Sequence, residues 1–281
     1  LLMTWTRVGW SFFALGVSAL GLWQSMVWAF NAKGLFISPL WSLITFAGNF
    51  IFLTLLRFLR EQSEKKFIFS AFSKYVSKSV VEQLVASREK LSLSGEETEV
   101  SILISDIRDF TARSEKMRPH QVSELLNTYF TPMTGIVTKS GGTLDKFMGD
   151  AMMAFWNAPL HTPEHQTRAT ESALSMLLEL RKLNYFFKKQ FDLELRIGIG
   201  LHCGEVRVGN MGSQDLINYT VIGDSVNVAS RIERLTKVYG LSLLLSESIR
   251  AACRGNFIFQ EIDKVQVMGR DQPLTIYTAY W

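Results

Sequence analysis

The sequence predicts an α+β domain that follows two membrane-spanning helices and a helical linker. Three observations lead to this prediction. The first 56 of the 281 residues carry only two charged side chains, Arg7 and Lys33. Residues 57–94 mix charges with apolar residues at helical spacing. From residue 95 onward, short apolar runs that stop at glycine turns alternate with longer amphipathic segments, which is typical of strands and helices that share one α+β domain.

Residues 8–30 and 34–56 are the two predicted membrane spans. Both lack charged side chains and exceed the roughly 20 residues that cross the apolar core of a bilayer. Tryptophans lie toward the ends of these stretches, where amphipathic rings favour the lipid–water interface. A buried helical hairpin is the alternative, whereas two spans with so short a link are not typical of a signal peptide. Residues 1–56 are therefore interpreted as a membrane region in contact with lipid.

Basic residues after the second span indicate its orientation. Arg57, Arg60, Lys65 and Lys66 place this end in the cytoplasm, because cytoplasmic flanks are enriched in lysine and arginine. The remainder of the chain is then cytoplasmic. Since the sequence opens at Leu1 almost directly on a span, we expect a longer protein whose upstream region is missing from this chain.

The linker, residues 57–94, carries one apolar stripe on a predicted helix. Ile68, Phe72 and Tyr75 follow one another at four- and three-residue steps. The stripe needs an apolar partner, either its own domain or the same helix of a second chain, and we favour the second. Nucleic acid is not an expected partner, because the sequence has no basic stripe of the kind that binds it.

Residues 95–281 form the predicted α+β domain. An apolar strand stops abruptly at Asp106. Residues 120–140 and 164–189 have the periodicity of amphipathic helices, and a third helix begins near Ser225. Further strands are predicted from the remaining apolar runs: one up to Phe147, one over 152–156, two within 193–212 that are split by Cys203 and Gly204, and two around 241–245 and 257–267.

Two aspartates are the candidate metal ligands. Asp106 ends a strand and Asp150 follows a glycine turn, which suits a hard divalent cation with oxygen ligands. Both residues would also be ordinary in turns or as helix caps. Cys203 and Cys253 are interpreted as packing thiols. The histidines show no ligand spacing and are interpreted as structural: His120, His161, His165 and His202.

Four sequence blocks carry a resemblance to a known family: "ISDIRDFT", "DKFMGDAMMAFW", "HCGEVRVGNMG" and "YTVIGDSVNVASRIE". Together and in this order they resemble the catalytic domain of class III nucleotidyl cyclases, over residues 95–280. The linker segment "FSAFSKYVSKSVVEQL" resembles the transducing helix of membrane-bound bacterial members, some of which carry an extracellular CHASE-type sensor upstream. The resemblance implies a ferredoxin-like fold with a mostly antiparallel sheet in residues 95–281, and a place in the bacterial inner membrane.

The resemblance also implies a metal site and a triphosphate site. Asp106, Ile107 and Asp150 correspond to the ligands of two divalent cations, Mg²⁺ or Mn²⁺. The loop that continues through Phe110 and Thr111 corresponds to the triphosphate-binding turn. Relatives commonly have glycine where this chain has Asp109, so its carboxylate must point away from the phosphates. Relatives usually have a lysine that contacts the triphosphate, and this chain has Arg270 at the corresponding position.

Four further residues correspond to the base, ribose and phosphoryl contacts. Lys146 and Thr220 match the base-reading positions, where an ammonium suits adenine N1 and a hydroxyl accepts from the 6-amino group. Cyclases that prefer GTP carry Glu and Cys there. Asn227 and Arg231, one helical turn apart, match the residues that contact the ribose and the phosphoryl group.

These correspondences imply a membrane-anchored adenylate cyclase. It would convert ATP to 3′,5′-cyclic AMP and pyrophosphate by two-metal catalysis, at sites shared across a homodimer. Each site would combine Asp106 and Asp150 of one chain with the base, ribose and phosphoryl residues of the other. A guanylate cyclase and a non-catalytic membrane signalling module are the alternatives. Loss of Asp106, Asp150 or Arg231 would have favoured the signalling module, and all three are present.

Overall fold

The computed structural model separates into two compact units, Leu1–Ala71 and Phe72–Trp281. It describes these residues: 17, 20–34, 44, 47–48, 51–52, 54–56, 58–60, 62, 95–213, 217–266 and 273–281. In the first unit the described residues are helical up to 33, but within the described part of the chain no helix is both long and apolar enough to cross a membrane. Most of the two predicted spans and of the linker lies outside the described residues, so the membrane and linker predictions stay predictions.

The second unit is built on one eight-stranded, mostly antiparallel sheet. Its strand order is β2-β3-β1-β4-β6-β8-β7, with β5 paired to β4 beside this path; among the described residues, β4 and β6 pair in parallel and the other pairs are antiparallel. The strands are β1 (Glu96–Ile107), β2 (Thr143–Met148), β3 (Ala151–Trp156), β4 (Ile197–Gly212), β5 (Ile217–Ile222), β6 (Leu243–Ser246), β7 (Ile258–Val265) and β8 (Leu274–Tyr280).

Helices cover both faces of this sheet. They are α1 (Phe110–Ser114), α2 (Pro119–Lys139), α3 (His165–Phe191), α4 (Asp224–Tyr239) and α5 (Glu247–Ala252). The three helices predicted from periodicity are confirmed as α2, α3 and α4; both ends of α2 and α3 and the start of α4 lie within two residues of the predicted ones. Their strong amphipathic patterns explain this agreement, since each buries one continuous face.

The two faces of the sheet have separate cores. Alternate residues of β1 point to opposite faces, so Leu103 packs with the buried faces of α2 and α3, whereas Ile102 and Ile104 pack with β5 and α4. The fully buried Trp156 belongs to the first core and Phe155 to the second. The even-numbered side of β1, which includes Asp106, therefore faces α4.

The prediction that 193–212 contains two strands is wrong. β4 is one continuous strand of 16 residues, and Cys203 and Gly204 pair in register with Ser101 and Val100 of β1. Gly204 is there because α4 starts directly above it: a Cβ at this position would lie 2.5 Å from the hydroxyl of Ser225. The glycine that suggested a turn marks a close helix–strand contact.

Glycines continue along the same face of β4 and allow α4 to lie directly on the strand. Gly198 faces Thr236, and Gly200 lies beneath the backbone of Ala229 and Glu233. A Cβ on Gly200 would come within 2.6 Å of the Ala229 carbonyl oxygen. Backbone atoms cannot rotate away as a side chain does, so the position of α4 on the sheet depends on this glycine.

Gly200→Ala should therefore destabilise the domain. Overpacking a well-filled core costs about 1–3 kcal/mol, which lowers the melting temperature of a domain of this size by roughly 2–12 °C. Gly135→Ala is the matched control, because a Cβ on this helical glycine of α2 has no atom within 4 Å. It should leave stability unchanged or raise it by about 0.5–1 kcal/mol. Equal melting temperatures for wild type and Gly200→Ala in thermal unfolding would contradict this account of the contact.

Candidate active site

Two aspartates meet at the end of β1. Asp106 pairs with Gly198 on β4, and Asp150 follows Gly149, whose φ of 68° makes the tight turn between β2 and β3. The two carboxyl groups lie close enough for their charges to interact, and the backbone of Ile107 lies beside the Asp150 carboxylate. Burial and, next to it, the adjacent charge of Asp106 raise the pKa of Asp150 to about 6. A buried carboxylate beside a second one fits a divalent cation with oxygen ligands.

A third carboxylate, Glu233, lies close to this pair and was missed in the sequence. It is only 6% exposed, on the buried face of α4. Its pKa is raised to about 7, chiefly by burial and then by the charge of Asp106, while Arg108 opposes the rise. The Arg108 Nη1 lies 3.7 Å from the Glu233 Oε1. A usable signal was present, since Glu233 follows Ala229 by four residues and Ile232 by one, on the apolar face of the helix.

In the loop after β1, the Asp109 carboxylate pairs with Lys237 of α4. Asp109 has a left-handed backbone (φ 56°), a conformation that glycine adopts most readily and aspartate tolerates. Its half-exposed carboxylate accepts a hydrogen bond from the Lys237 Nζ at 3.2 Å, and this bond lowers its pKa. Asp109 is thus paired with Lys237 of α4, and the expectation that its carboxylate points away from the phosphates stays a prediction. Phe110 and Thr111 follow in the first turn of α1, where N–H groups have no intrahelical acceptor.

The predicted base-reading residues, Lys146 and Thr220, meet at a buried carboxylate that the sequence reasoning missed. The Thr220 hydroxyl donates to the Asp145 Oδ2 at 2.8 Å, and the Lys146 Nζ lies 3.7 Å from the same oxygen. The Asp145 side chain is 1% exposed, and burial raises its pKa. Thr220 reaches it because β5 folds across the second face of the sheet, where Tyr219 packs near Phe155.

A β-bulge places the neighbours Asp145 and Lys146 on the same side of β2. Consecutive residues of a regular strand point to opposite faces. Here the register slips between Leu144 and Lys146, so Asp145 has no counterpart of its own on β3. Such a bulge re-aims side chains, and no residue pattern in the sequence revealed it.

Asn227 and Arg231 lie one turn apart on α4, as predicted. Asn227 is exposed and Arg231 half-buried. The Arg231 Nη1 is buried and, among the described residues, has no hydrogen-bond partner. A buried guanidinium nitrogen without a partner is unfavourable unless a ligand supplies an acceptor, so this group suits a phosphate oxygen.

The predicted site residues thus form separate groups within one chain. Asp106 joins Asp150, and Lys146 joins Thr220, but no hydrogen bond or ion pair between described residues links the first pair to the second. Arg270 lies outside the described residues.

Comparisons with known proteins agree on one family. Residues 93–279 match the family model of the adenylate and guanylate cyclase catalytic domain. Adenylate cyclase 1 of Rhizobium meliloti is 34% identical over 206 residues, which is 73% of this chain and 31% of that protein. The adenylate cyclase of Anabaena cylindrica is 38% identical over 63% of this chain and 36% of its own length. The chain therefore spans about a third of these relatives.

Solved structures give the same result. A bacterial light-regulated adenylyl cyclase superposes with a TM-score of 0.69 at 29% identity, covering 82% of this chain and 65% of that one. The guanylyl cyclase Cya2 superposes with a TM-score of 0.60 at 32% identity, covering 66% of this chain and 93% of that one. With its sheet, its paired aspartates and a family match over most of its length, the chain belongs to the class III nucleotidyl cyclases.

Proposed function

We propose that this protein is a membrane-anchored adenylate cyclase that converts ATP to 3′,5′-cyclic AMP and pyrophosphate. Family membership does not decide whether the substrate carries adenine or guanine, because both an adenylyl and a guanylyl cyclase are similar to the chain at close to 30% identity. The observation that favours ATP is the hydrogen bond from Thr220 to Asp145. The proton of the hydroxyl is committed to the carboxylate, so the oxygen offers only lone pairs to a substrate. Such an acceptor suits the amino group of adenine and opposes the carbonyl oxygen of guanine.

Lys146 supports the same choice of base. Its ammonium is close to half exposed and held beside Asp145, and it has protons to donate but no lone pair. Adenine N1 accepts a hydrogen bond, whereas guanine N1 carries a hydrogen. A site whose polar groups mismatch the substrate discriminates strongly.

The acidic pair would hold the metal ions. Asp106 and Asp150, with the backbone of Ile107, would bind two divalent cations, Mg²⁺ or Mn²⁺. Such ions neutralise triphosphate charge and lower the pKa of a bound hydroxyl. The fit rests on the proximity of the two carboxyl groups and on the raised pKa of Asp150.

The remaining groups would position the nucleotide. The unpartnered Nη1 of Arg231 is available to donate to a phosphoryl oxygen that gains charge during the displacement. Asn227, on the same side of α4, would orient the ribose, and Arg270 would contact the triphosphate. In this proposal the chain contributes mainly positioning and charge stabilisation, as is usual for phosphoryl chemistry.

A homodimer would complete each site. Lys146 and Asp150 flank one turn, although they would serve opposite ends of an extended nucleotide. One chain would therefore supply Asp106 and Asp150 and the other Lys146, Thr220, Asn227 and Arg231, in two equivalent sites. The exposed Phe147 and Met148 near the β2–β3 turn, 44% and 45% accessible, offer apolar surface for such a contact.

The first prediction concerns the acidic pair. Asp106→Asn should abolish cyclase activity and yet raise the melting temperature of the metal-free protein. The folded-state pKa of Asp150 lies above its ordinary value, so its ionised form destabilises the fold at pH values above about 6. Removing the neighbouring charge relieves this, and the gain over wild type should grow as pH rises from 5 to 7. Mn²⁺ should stabilise wild type and not the variant; an equal Mn²⁺ effect on both would contradict the metal assignment.

The second prediction concerns the base. Asp145→Leu keeps similar volume but removes the acceptor, so the Thr220 hydroxyl becomes free to donate as well as accept. The ratio of kcat/KM for ATP over GTP should fall about tenfold, the value of roughly one hydrogen bond of 1–2 kcal/mol. Initial rates of cyclic nucleotide formation with each triphosphate measure this ratio. An unchanged ratio in a folded, active variant would remove this group from the base site.

The third prediction concerns assembly. Asp106→Ala and Arg231→Ala should each be inactive alone, because every shared site lacks one essential group. In a mixed dimer one site carries both lesions and the other none, so activity should return on co-expression. Cyclase activity is measured in membrane and soluble fractions of cells that express tagged variants, with co-purification of the tags as proof of association. A mixture that associates but stays inactive rejects the shared site, and activity in the soluble fraction rejects the membrane anchor.

A further inference from the structure

A cluster of metal-ligating side chains lies on the sheet face opposite the proposed active site. Glu99 of β1, His165 at the start of α3 and Cys203 of β4 bring a carboxylate oxygen, an imidazole nitrogen and a thiol sulfur within 4.8 Å of one another. Odd-numbered residues of β1 face α2 and α3, whereas Asp106 faces α4. Seven residues also separate Glu99 from Asp106, a distance of roughly 23 Å along the strand. The two sites are therefore independent.

Sequence spacing did not reveal this cluster, and its histidine was expected to be structural. The sheet register creates it, because Cys203 lies directly opposite Ser101, two residues after Glu99 on the same face of β1. The helix α3 then begins above these strands and places His165 over them. By contrast, the His202 Nδ1 lies 2.9 Å from the Ser246 hydroxyl and fits a structural role.

The imidazole ring of His165 is oriented by a hydrogen-bond partner on one nitrogen, as the ring of a metal-bound histidine usually is. Its Nδ1 lies 2.8 Å from the Ser101 hydroxyl, and its Nε2 lies 3.8 Å from the Glu99 Oε1. Metal-bound imidazoles almost always have their second nitrogen fixed by such a partner. Nε2 is directed toward Glu99 in the cluster, and the tautomer in which Nδ1 donates to Ser101 leaves the Nε2 lone pair available to a cation. Burial lowers the pKa of this histidine, which keeps the neutral form that metals bind.

Gln166 connects the other two ligands. Its Nε2 lies 3.4 Å from the Cys203 Sγ and 3.3 Å from the Glu99 Oε1. The buried thiol has its pKa raised to about 12 by burial, so the charge of a cation in contact would be needed to displace its proton. The Glu99 side chain is 56% exposed, which gives an ion access from solvent and lets the carboxylate adjust.

We propose that Glu99, His165 and Cys203 form a site for a transition metal of the Zn²⁺ class. Thiolate, imidazole and carboxylate are a typical zinc ligand set, whereas Mg²⁺ prefers oxygen ligands alone. Tetrahedral zinc holds sulfur and nitrogen about 3.5 Å apart, so the ligands need to approach by only about 1 Å. Water completes the fourth position on the exposed side. The ion ties the start of α3 to β1 and β4, and this role is separate from the proposed catalysis.

Co²⁺ is the probe, because thiolate ligation gives it an intense charge-transfer absorption that oxygen ligands do not. The purified full chain is titrated with Co²⁺ in excess Mg²⁺, which occupies oxygen-ligand sites. Wild type should develop the thiolate band in a one-to-one ratio, and Zn²⁺ should abolish it by displacement. Cys253→Ser is the matched control, since Cys253 lies outside the cluster beside Thr170 and should keep the band.

Cys203→Ser should lose the thiolate band, and Glu99→Gln should weaken Co²⁺ binding by about tenfold or more, in line with the loss of one ligand. Zn²⁺ should raise the melting temperature of wild type and of Cys253→Ser, but not of Cys203→Ser. If Cys203→Ser fails to fold, the exposed Glu99→Gln decides alone. Absence of the band in wild type, its persistence in Cys203→Ser, or unchanged affinity in Glu99→Gln would each overturn the proposal.

Discussion

The close contact between α4 and the glycine face of β4 is the constraint on which the rest of the catalytic domain depends. Gly198, Gly200 and Gly204 leave the strand surface without a Cβ at three positions where α4 approaches it. The helix axis can therefore lie nearer to the sheet than ordinary side-chain packing allows. This brings Glu233 and its partner Arg108 to the end of β1. A shift of the helix would separate Glu233 from Asp106.

The same contact concentrates negative charge at one end of the sheet. Asp106, Asp150 and Glu233 influence one another, and burial opposes the ionisation of the last two. Arg108 offsets part of this charge through its ion pair with Glu233 and its hydrogen bond to Thr236. In the proposed function, this repulsion among the carboxylates would be relieved by the cations that Asp106 and Asp150 would bind. The opposite face, with the buried side chains of α2 and α3, supplies the larger apolar core.

The sequence was sufficient to predict those elements whose structure follows from a local residue pattern. Amphipathic periodicity located α2, α3 and α4, and the strand that stops at a carboxylate identified Asp106. It failed where the cause was a distant contact. In the sequence Gly204 suggests a turn, but in the structure it allows the close approach of Ser225, a residue 21 positions later. Asp145 was overlooked because a bulge re-aims it, and Glu233 because a charged residue is not expected beneath a helix. The Glu99–His165–Cys203 cluster required the register of β1 against β4.

The shared carboxylate of Asp145 has an evolutionary consequence. Relatives that prefer GTP carry glutamate at the position of Lys146, and a glutamate there would lie against the buried Asp145, which already resists ionisation. If Lys146 and Thr220 contact the base as proposed, a lineage could not exchange both without first losing, or simultaneously changing, Asp145. Substitutions at these positions should therefore be epistatic, and the order in which they arise should decide whether intermediates are viable. The bulge in β2 that allows three side chains to meet thus also restricts the paths by which this protein could change its nucleotide.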